Sequence, residues 1–193
     1  MHTATQTGFA LTENEQAVLS RLATESIEYR LEHGVRLEDA AVPVPAQDVL
    51  HAVHGAFVTL TLDGVLRGCI GNIVGQAPLF LTVSRMAYAA AFEDPRFPPL
   101  RQEEWDTASM EISVLSDLTR CPDPEAIEVG RHGLVLAFGG RSGVFLPQVP
   151  LEQGWDRQAY LEALCVKAGL PSGSWRKEGA ELYWFEAFVF TAR

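Results

Sequence analysis

Phe57-Val58-Thr59-Leu60-Thr61-Leu62-Asp63-Gly64-Val65-Leu66-Arg67-Gly68-Cys69-Ile70-Gly71-Asn72 is the stretch on which the fold reading turns. Phe57, Thr59 and Thr61 alternate with Val58, Leu60 and Leu62, the period of a half-buried strand. Asp63-Gly64 is a strong signal for a two-residue hairpin turn. Val65-Leu66 then returns as a second strand and runs into Arg67-Gly68-Cys69-Ile70-Gly71, which reads as a glycine-flanked turn carrying a thiol. A hairpin at this point requires antiparallel pairing.

Working outward, Thr12 and Glu15 have capping-box spacing. Val18, Leu19, Leu22, Ala23, Ile27 and Leu31 recur at helical spacing up to Gly34. Val35 to Gln47, with two prolines, reads as an extended connector. Beyond the hairpin, Pro78 opens a second helix with Leu79, Val83, Met86, Ala87 and Ala90 on one face, which Asp94-Pro95-Arg96-Phe97-Pro98-Pro99 stops. Met110 to Leu115 alternates as a strand. After Leu134 to Phe138, Gly139-Gly140-Arg141-Ser142-Gly143 turns the chain into Val144 to Pro147 as a second hairpin. A third helix starts near Asp156, carries Tyr160, Leu161, Leu164 and Cys165 inward and ends at Gly169. Glu181 to Phe190 reads as one last buried strand. Helix, hairpin, helix, strand, hairpin, helix, strand has no βαβ rhythm, so the class is α+β.

The 193 residues carry 25 acidic against 15 basic side chains, a formal charge of −10, and 47% are hydrophobic. That composition suits a globular core. It disfavours nucleic acid, which needs a basic footprint. The polar start, residues 1–11, reads as a flexible tail without a signal peptide. With no apolar run of membrane length, a cytoplasmic protein with no membrane partner is expected. Cys69, Cys121 and Cys165 are too few and too far apart for a disulfide framework or a zinc motif. No metal site, phosphate loop or dinucleotide fingerprint appears, so spacing implies no cofactor. His51 and His54 read as solvated loop histidines.

Glycines on both sides of Cys69 could aim successive N–H groups into an anion-binding nest. A thiolate there would draw support from the Gly68, Ile70 and Gly71 amides and from Arg67, and the same donors could hold a ligand carboxylate. The competing reading is a buried cysteine behaving as a small hydrophobe.

The motif itself resembles a known family. Gly55-Ala56-Phe57-Val58-Thr59-Leu60 followed by Leu66-Arg67-Gly68-Cys69-Ile70-Gly71, the LRGCIG motif, is similar to the hallmark of AMMECR-type domains, whose prokaryotic members are called AmmeMemoRadiSam system protein A. Ala90 to Leu100, Glu111 to Leu115, His132-Gly133-Leu134, Phe145 to Val149, Gly154-Trp155-Asp156 and Lys167 to Leu170 extend the resemblance in order along the chain. Asn72 departs from it, standing where Thr or Ser is more usual. The resemblance implies a single domain over 12–193, with an antiparallel sheet flanked by helices, a smaller second lobe and a cleft between them. It also implies association with Memo-like and radical SAM proteins, but it brings no established reaction.

Candidate residues follow. Cys69 is the nucleophile candidate, with His132 or Glu111 as proton acceptor. A lone histidine before glycine at a strand start is more often a hydrogen-bonded turn residue, and His132 also reads so. Glu111 reads as a general base, as a group orienting Arg67 or Arg96, or as a solvent-facing carboxylate. Asp94 and Arg96 read as a self-paired helix stop or as ligand recognition. Gln148 and Trp155 read as cleft lining or core. Cys165 reads as inert, and Cys121 as an exposed reference thiol. Two functions follow: a Cys69-centred enzyme or covalent carrier for a small molecule or peptide, and a non-catalytic adaptor that binds a ligand or protein.

Overall fold

The structure, a computed structural model, describes residues 10–193. The expected tail over residues 1–11 therefore falls, through residue 9, outside the described residues, while Leu11 is buried. Two compact units emerge: Ala10–Leu115 with Phe188–Arg193, and the smaller Ser116–Ala187.

In the larger unit α1 (Glu13–His33) begins at the predicted capping box. Thr12 N–H donates to Glu15 Oε2 at 2.7 Å, and Glu15 N–H to Thr12 Oγ1 at 3.4 Å. It ends at Gly34 with φ 76°, a left-handed cap that glycine adopts without a Cβ clash. Strands β1 (Ala56–Leu62) and β2 (Val65–Asn72) form the predicted hairpin. Asp63 (φ 50°) and Gly64 (φ 77°) turn it with two positive φ values, the geometry that matches strand twist. Helix α2 (Leu79–Phe92) follows, then a single turn α3 (Gln102–Trp105) that the sequence reading missed. The sheet is completed by β3 (Ser109–Leu115) and β8 (Ala187–Thr191), in the order β2-β1-β3-β8.

Helix α2 covers one face of β1 and β2, and α1 packs on α2. Ala56, Val58 and Leu60 point into that layer with no exposure at all. Burying a side chain such as Val58 or Leu60 contributes roughly 1.5–3 kcal/mol. Between the two helices Ser26 Oγ donates to the Ser84 carbonyl at 2.9 Å, which satisfies the buried hydroxyl.

The smaller unit holds β4 (Thr119–Arg120), β5 (Gly133–Phe138), β6 (Arg141–Phe145), α4 (Val149–Glu152), α5 (Arg157–Lys167) and β7 (Glu181–Phe185). Its sheet runs β4-β7-β5-β6. Leu134, Leu136, Tyr160, Leu161, Leu164 and Cys165 make its core, with Trp155 packed against the edge. Cys165 is fully buried, as expected of an inert thiol.

The predicted final strand is corrected. Glu181 to Phe190 is two strands in two different sheets. The chain changes sheets at Glu186, whose N–H donates to Ser116 Oγ at 2.9 Å and whose carbonyl accepts Ser116 N–H at 2.9 Å. Its carboxylate takes Arg131 Nε at 2.7 Å. An unbroken apolar strand would place a charge inside one sheet; the break lets Glu186 pair instead. Among the described residues, no helix is long and apolar enough to cross a membrane.

Candidate functional site around Cys69

Cys69 does not sit in a turn. The expected glycine turn over residues 67–72 is corrected by β2, which continues extended to Asn72, and neither Gly68 nor Gly71 has a positive φ. There is no nest. Gly68 is required because a Cβ there would lie 2.1 Å from the Ala90 carbonyl oxygen of α2, and one at Gly71 would lie 2.2 Å from the Phe57 ring. Glycine serves here as close approach rather than as turn chemistry.

The register slips between Leu60 and Thr61. Leu62 faces Val65 and Thr61 faces Leu66, but Leu60 faces Gly68 and Thr59 faces Cys69. Arg67 is therefore the extra residue of a β-bulge. β1 also pairs with β3, placing Glu111 opposite Thr59. Cys69, Thr59 and Glu111 thus form one row across three strands, on the face away from α2.

Thr59 Oγ1 donates to Cys69 Sγ at 3.3 Å. Such closeness belongs to the pair type in which facing residues exchange no backbone hydrogen bonds and side chains approach. It leaves the Cys69 N–H and C=O pointing out of the open edge of β2, and both are claimed. The N–H donates to Asp94 Oδ2 at 2.9 Å, and the carbonyl accepts Arg96 Nη2 at 3.1 Å. Alternation then turns the Gly68 and Ile70 amides toward β1, so they belong to the ladder rather than to a ligand.

Asp94 is buried, with 4% of its surface exposed. Its Oδ1 accepts Arg96 Nε at 2.9 Å and Arg96 N–H at 3.1 Å, and its Oδ2 accepts Arg96 Nη2 at 2.7 Å. The Arg96 guanidinium outweighs the opposing effect of burial, and with the Cys69 and Arg96 amides holds the carboxyl far below the usual carboxylate range. Arg96 is raised in turn, chiefly by Asp94.

Arg67, expected to support the thiol, turns inward instead. Its Nε donates to Glu104 Oε1 at 3.0 Å, and its Nη2 to Glu104 Oε2 at 3.1 Å and to the Pro98 carbonyl at 2.9 Å. This bidentate pair, with burial opposing it, draws Glu104 down to about 2. Arg67 and Arg96 both lie over Phe97, at 5.7 and 5.5 Å from the ring centroid. Glu111 is exposed between buried Met110 and Ile112. The orienting role considered for it belongs to Glu104 for Arg67 and to Asp94 for Arg96.

The structure therefore brings Cys69, Asp94 and Arg96 into contact and aligns Glu111 with them. Thr59 and Glu104 join the site without having been singled out from sequence. Thr59 was hidden because an unmarked bulge sets its partner; Glu104 could have been suspected only as a carboxylate near a buried arginine. His132 and Gln148 belong to the smaller unit. His132 Nδ1 accepts the Glu128 N–H at 3.1 Å, and its ring lies 4.2 Å from that of Trp184. Burial and Arg131 lower its pKa. Gln148 caps α4, its carbonyl accepting the Leu151 and Glu152 N–H groups at 3.1 Å. Cys121 is corrected from exposed to half-buried, and burial pushes its thiol up. Among the described residues, no group of three or more His, Cys, Asp or Glu side chains is placed to hold a metal ion.

Among the described residues, two four-stranded antiparallel sheets with five helices define an α+β protein, in which a bulged edge strand is clamped at a cysteine. Residues 20–190 match the AMMECR1 family, and the chain belongs to it. It is 40% identical to protein NEQ441 of Nanoarchaeum equitans, over 89% of this chain and 97% of that one. It is 42% identical to protein MK0488 of Methanopyrus kandleri, over 95% and 91%. The crystal structure of uncharacterized protein PH0010 from Pyrococcus horikoshii superposes with a TM-score of 0.85 at 38% identity, covering 95% of this chain and 94% of that one.

Proposed function

We propose that this AMMECR1-family protein acts through Cys69, as an enzyme or covalent carrier for a small molecule or peptide. The observation that supports it is the Thr59 hydroxyl directed at Sγ, while Asp94 and Arg96 fix the cysteine backbone from the outer edge. A nucleophile held by fixed neighbours needs little reorganisation to react. In the step envisaged, the thiol gives up its proton, with Glu111 across Thr59 as acceptor. Sulfur forms a bond to an electrophilic carbon, and the leaving group departs with the electron pair of the bond that breaks. Memo-like and radical SAM proteins are the proposed working partners, on the strength of the family resemblance, with the cytoplasm as the compartment.

Alkylation by iodoacetamide, read at each cysteine by mass spectrometry on the folded protein, tests this. Cys69 is expected to react at neutral pH at least about tenfold faster than Cys121, whose thiol burial disfavours as a thiolate. Cys69→Ser is expected to keep its melting behaviour within about 1 kcal/mol of the parent. A Cys69 silent until unfolding sinks the proposal.

The second reading is an adaptor domain, favoured by the contact of Gly68 with the Ala90 carbonyl, which makes this segment a packing hub. It predicts that Cys69→Ala retains complex formation with a Memo-like protein while no cysteine is selectively modified.

A further inference from the structure

We propose that the electrophile taken by Cys69 carries a carboxylate, and that Arg96 is the residue that binds it. This rests on the reading of Cys69 as a nucleophile.

Charge frames the problem. A chain with a formal charge of −10 repels anions over most of its surface, so an anionic ligand needs a fixed cation where it lands. Two arginines lie beside Cys69, and the structure separates their duties. Arg67 has a side chain only 7% exposed, turned to Glu104 and the Pro98 carbonyl. Arg96 has a side chain 52% exposed, while that of its partner Asp94 is 2% exposed. The carboxylate of this pair is therefore hidden and the guanidinium faces outward.

The guanidinium is also fixed. Asp94 holds Nε and Nη2, Nη2 bonds the Cys69 carbonyl, and Phe97 lies beneath. These contacts leave Nη1 as the nitrogen open to a newcomer. A rigid arginine loses little conformational freedom on binding, which suits a planar carboxylate. The 3.1 Å bond from Nη2 to the Cys69 carbonyl keeps the cation beside the residue whose sulfur reacts. Arg67 Nη1 is buried without a hydrogen-bond partner, so the same cluster holds unspent donor capacity. Because Arg96 grips the carbonyl of the residue whose sulfur reacts, the ligand must be compact, its carboxylate one or two bonds from the electrophilic carbon. Asp94 is then a positioning residue, acting through Arg96 and through the Cys69 amide.

Iodoacetate and iodoacetamide differ in this one respect: both lose iodide as sulfur bonds to the methylene carbon, but only the first carries a carboxylate there. The measurement is the iodoacetate-to-iodoacetamide rate ratio at Cys69, divided by the same ratio at Cys121 in the same molecule. Arg96→Gln is expected to lower this value by about tenfold, the worth of one charge-assisted hydrogen bond. Added salt is expected to lower it in the unaltered protein. Since Arg96→Gln strands a buried carboxylate, the double variant Asp94→Asn/Arg96→Gln is measured beside it, with the same expected fall. If Cys69 reacts with neither reagent in the folded protein, the nucleophile reading fails and this inference falls with it. If iodoacetamide modifies Cys69 but the ratio ignores both salt and the Arg96 variants, this inference alone is overturned.

Discussion

The two hairpins of the molecule turn through similar glycine chemistry and end differently. β5–β6 keeps one register from Leu134 opposite Phe145 to Phe138 opposite Arg141, turning at Gly139 and Gly140, both with positive φ. Its outer strand lies against α5, where a Cβ on Gly143 would come 2.6 Å from the Ala168 nitrogen. β1–β2 slips by one residue, and its outer strand has its open backbone groups bonded by the side chains of Asp94 and Arg96. The regular ladder has a helix packed on the face of its outer strand. The irregular one is blocked by a charged pair, and there a hydroxyl, a thiol and two carboxylate–guanidinium pairs collect. Departures from regular pairing are where polar side chains gain reasons to meet.

Glycine substitution is expected to part the two hairpins most widely. Gly68→Ala sets a methyl against backbone of α2 and should cost about 3 kcal/mol or more. Gly139→Ala meets nothing within 4 Å and bears only the left-handed penalty at φ 57°, about 1–2 kcal/mol. Urea midpoints of the two variants check this, and equal losses would erase the distinction drawn here.

Next comes Glu104→Gln, which leaves Arg67 charged and buried and should cost about 3 kcal/mol. The acid limb sharpens it. Glu104 and Asp94 both have folded-state values below the ordinary carboxylate range, so the unfolded chain binds protons first as pH drops. Their stabilisation is whole above about pH 4.5 and drains away as pH falls toward about 2, the folded value of Glu104. Urea midpoints from pH 6 to 3 should fall less steeply in Glu104→Gln than in the parent. Parallel curves would show that the pair contributes nothing to the slope.

The smallest effect is expected from Thr59→Val. Losing one half-buried hydroxyl should change stability by about 1 kcal/mol or less, yet slow Cys69 alkylation severalfold. An unchanged rate would reduce the Thr59–Sγ contact to packing.

Much of this was legible in residue order. The Thr12 to Gly34 helix, the Asp63-Gly64 turn and the Asp156-capped helix carry local signals that tertiary packing had no reason to override. Local chemistry failed at two places. Glu181 to Phe190 is apolar enough to look like one strand, and only the distant Ser116 and Arg131 show why it breaks at Glu186. At Cys69 the flanking glycines suggested bent backbone, whereas Ala90 and Phe57, far apart in sequence, explain them by contact. Arg67 was expected beside the thiol for the same reason: its position was read, but not the partner that draws it away. The resemblance to AMMECR-type domains drew attention to this segment, and its side-chain arrangement had to come from three dimensions.

Counting matters more than composition between Gly64 and Cys69. Were the present residues paired without the bulge, from Leu62 opposite Val65 onward, Cys69 would fall opposite Val58, in the layer that α2 seals. The odd residue is Arg67, and it gives the strand its parity. Deleting Arg67 should therefore straighten the ladder and leave Cys69 opposite Thr59, whereas pairing Arg67 into the ladder should carry the thiol to the hidden face with every side chain unchanged in identity. The bulge, which no reading of single letters reveals, decides which face of the sheet carries this cysteine.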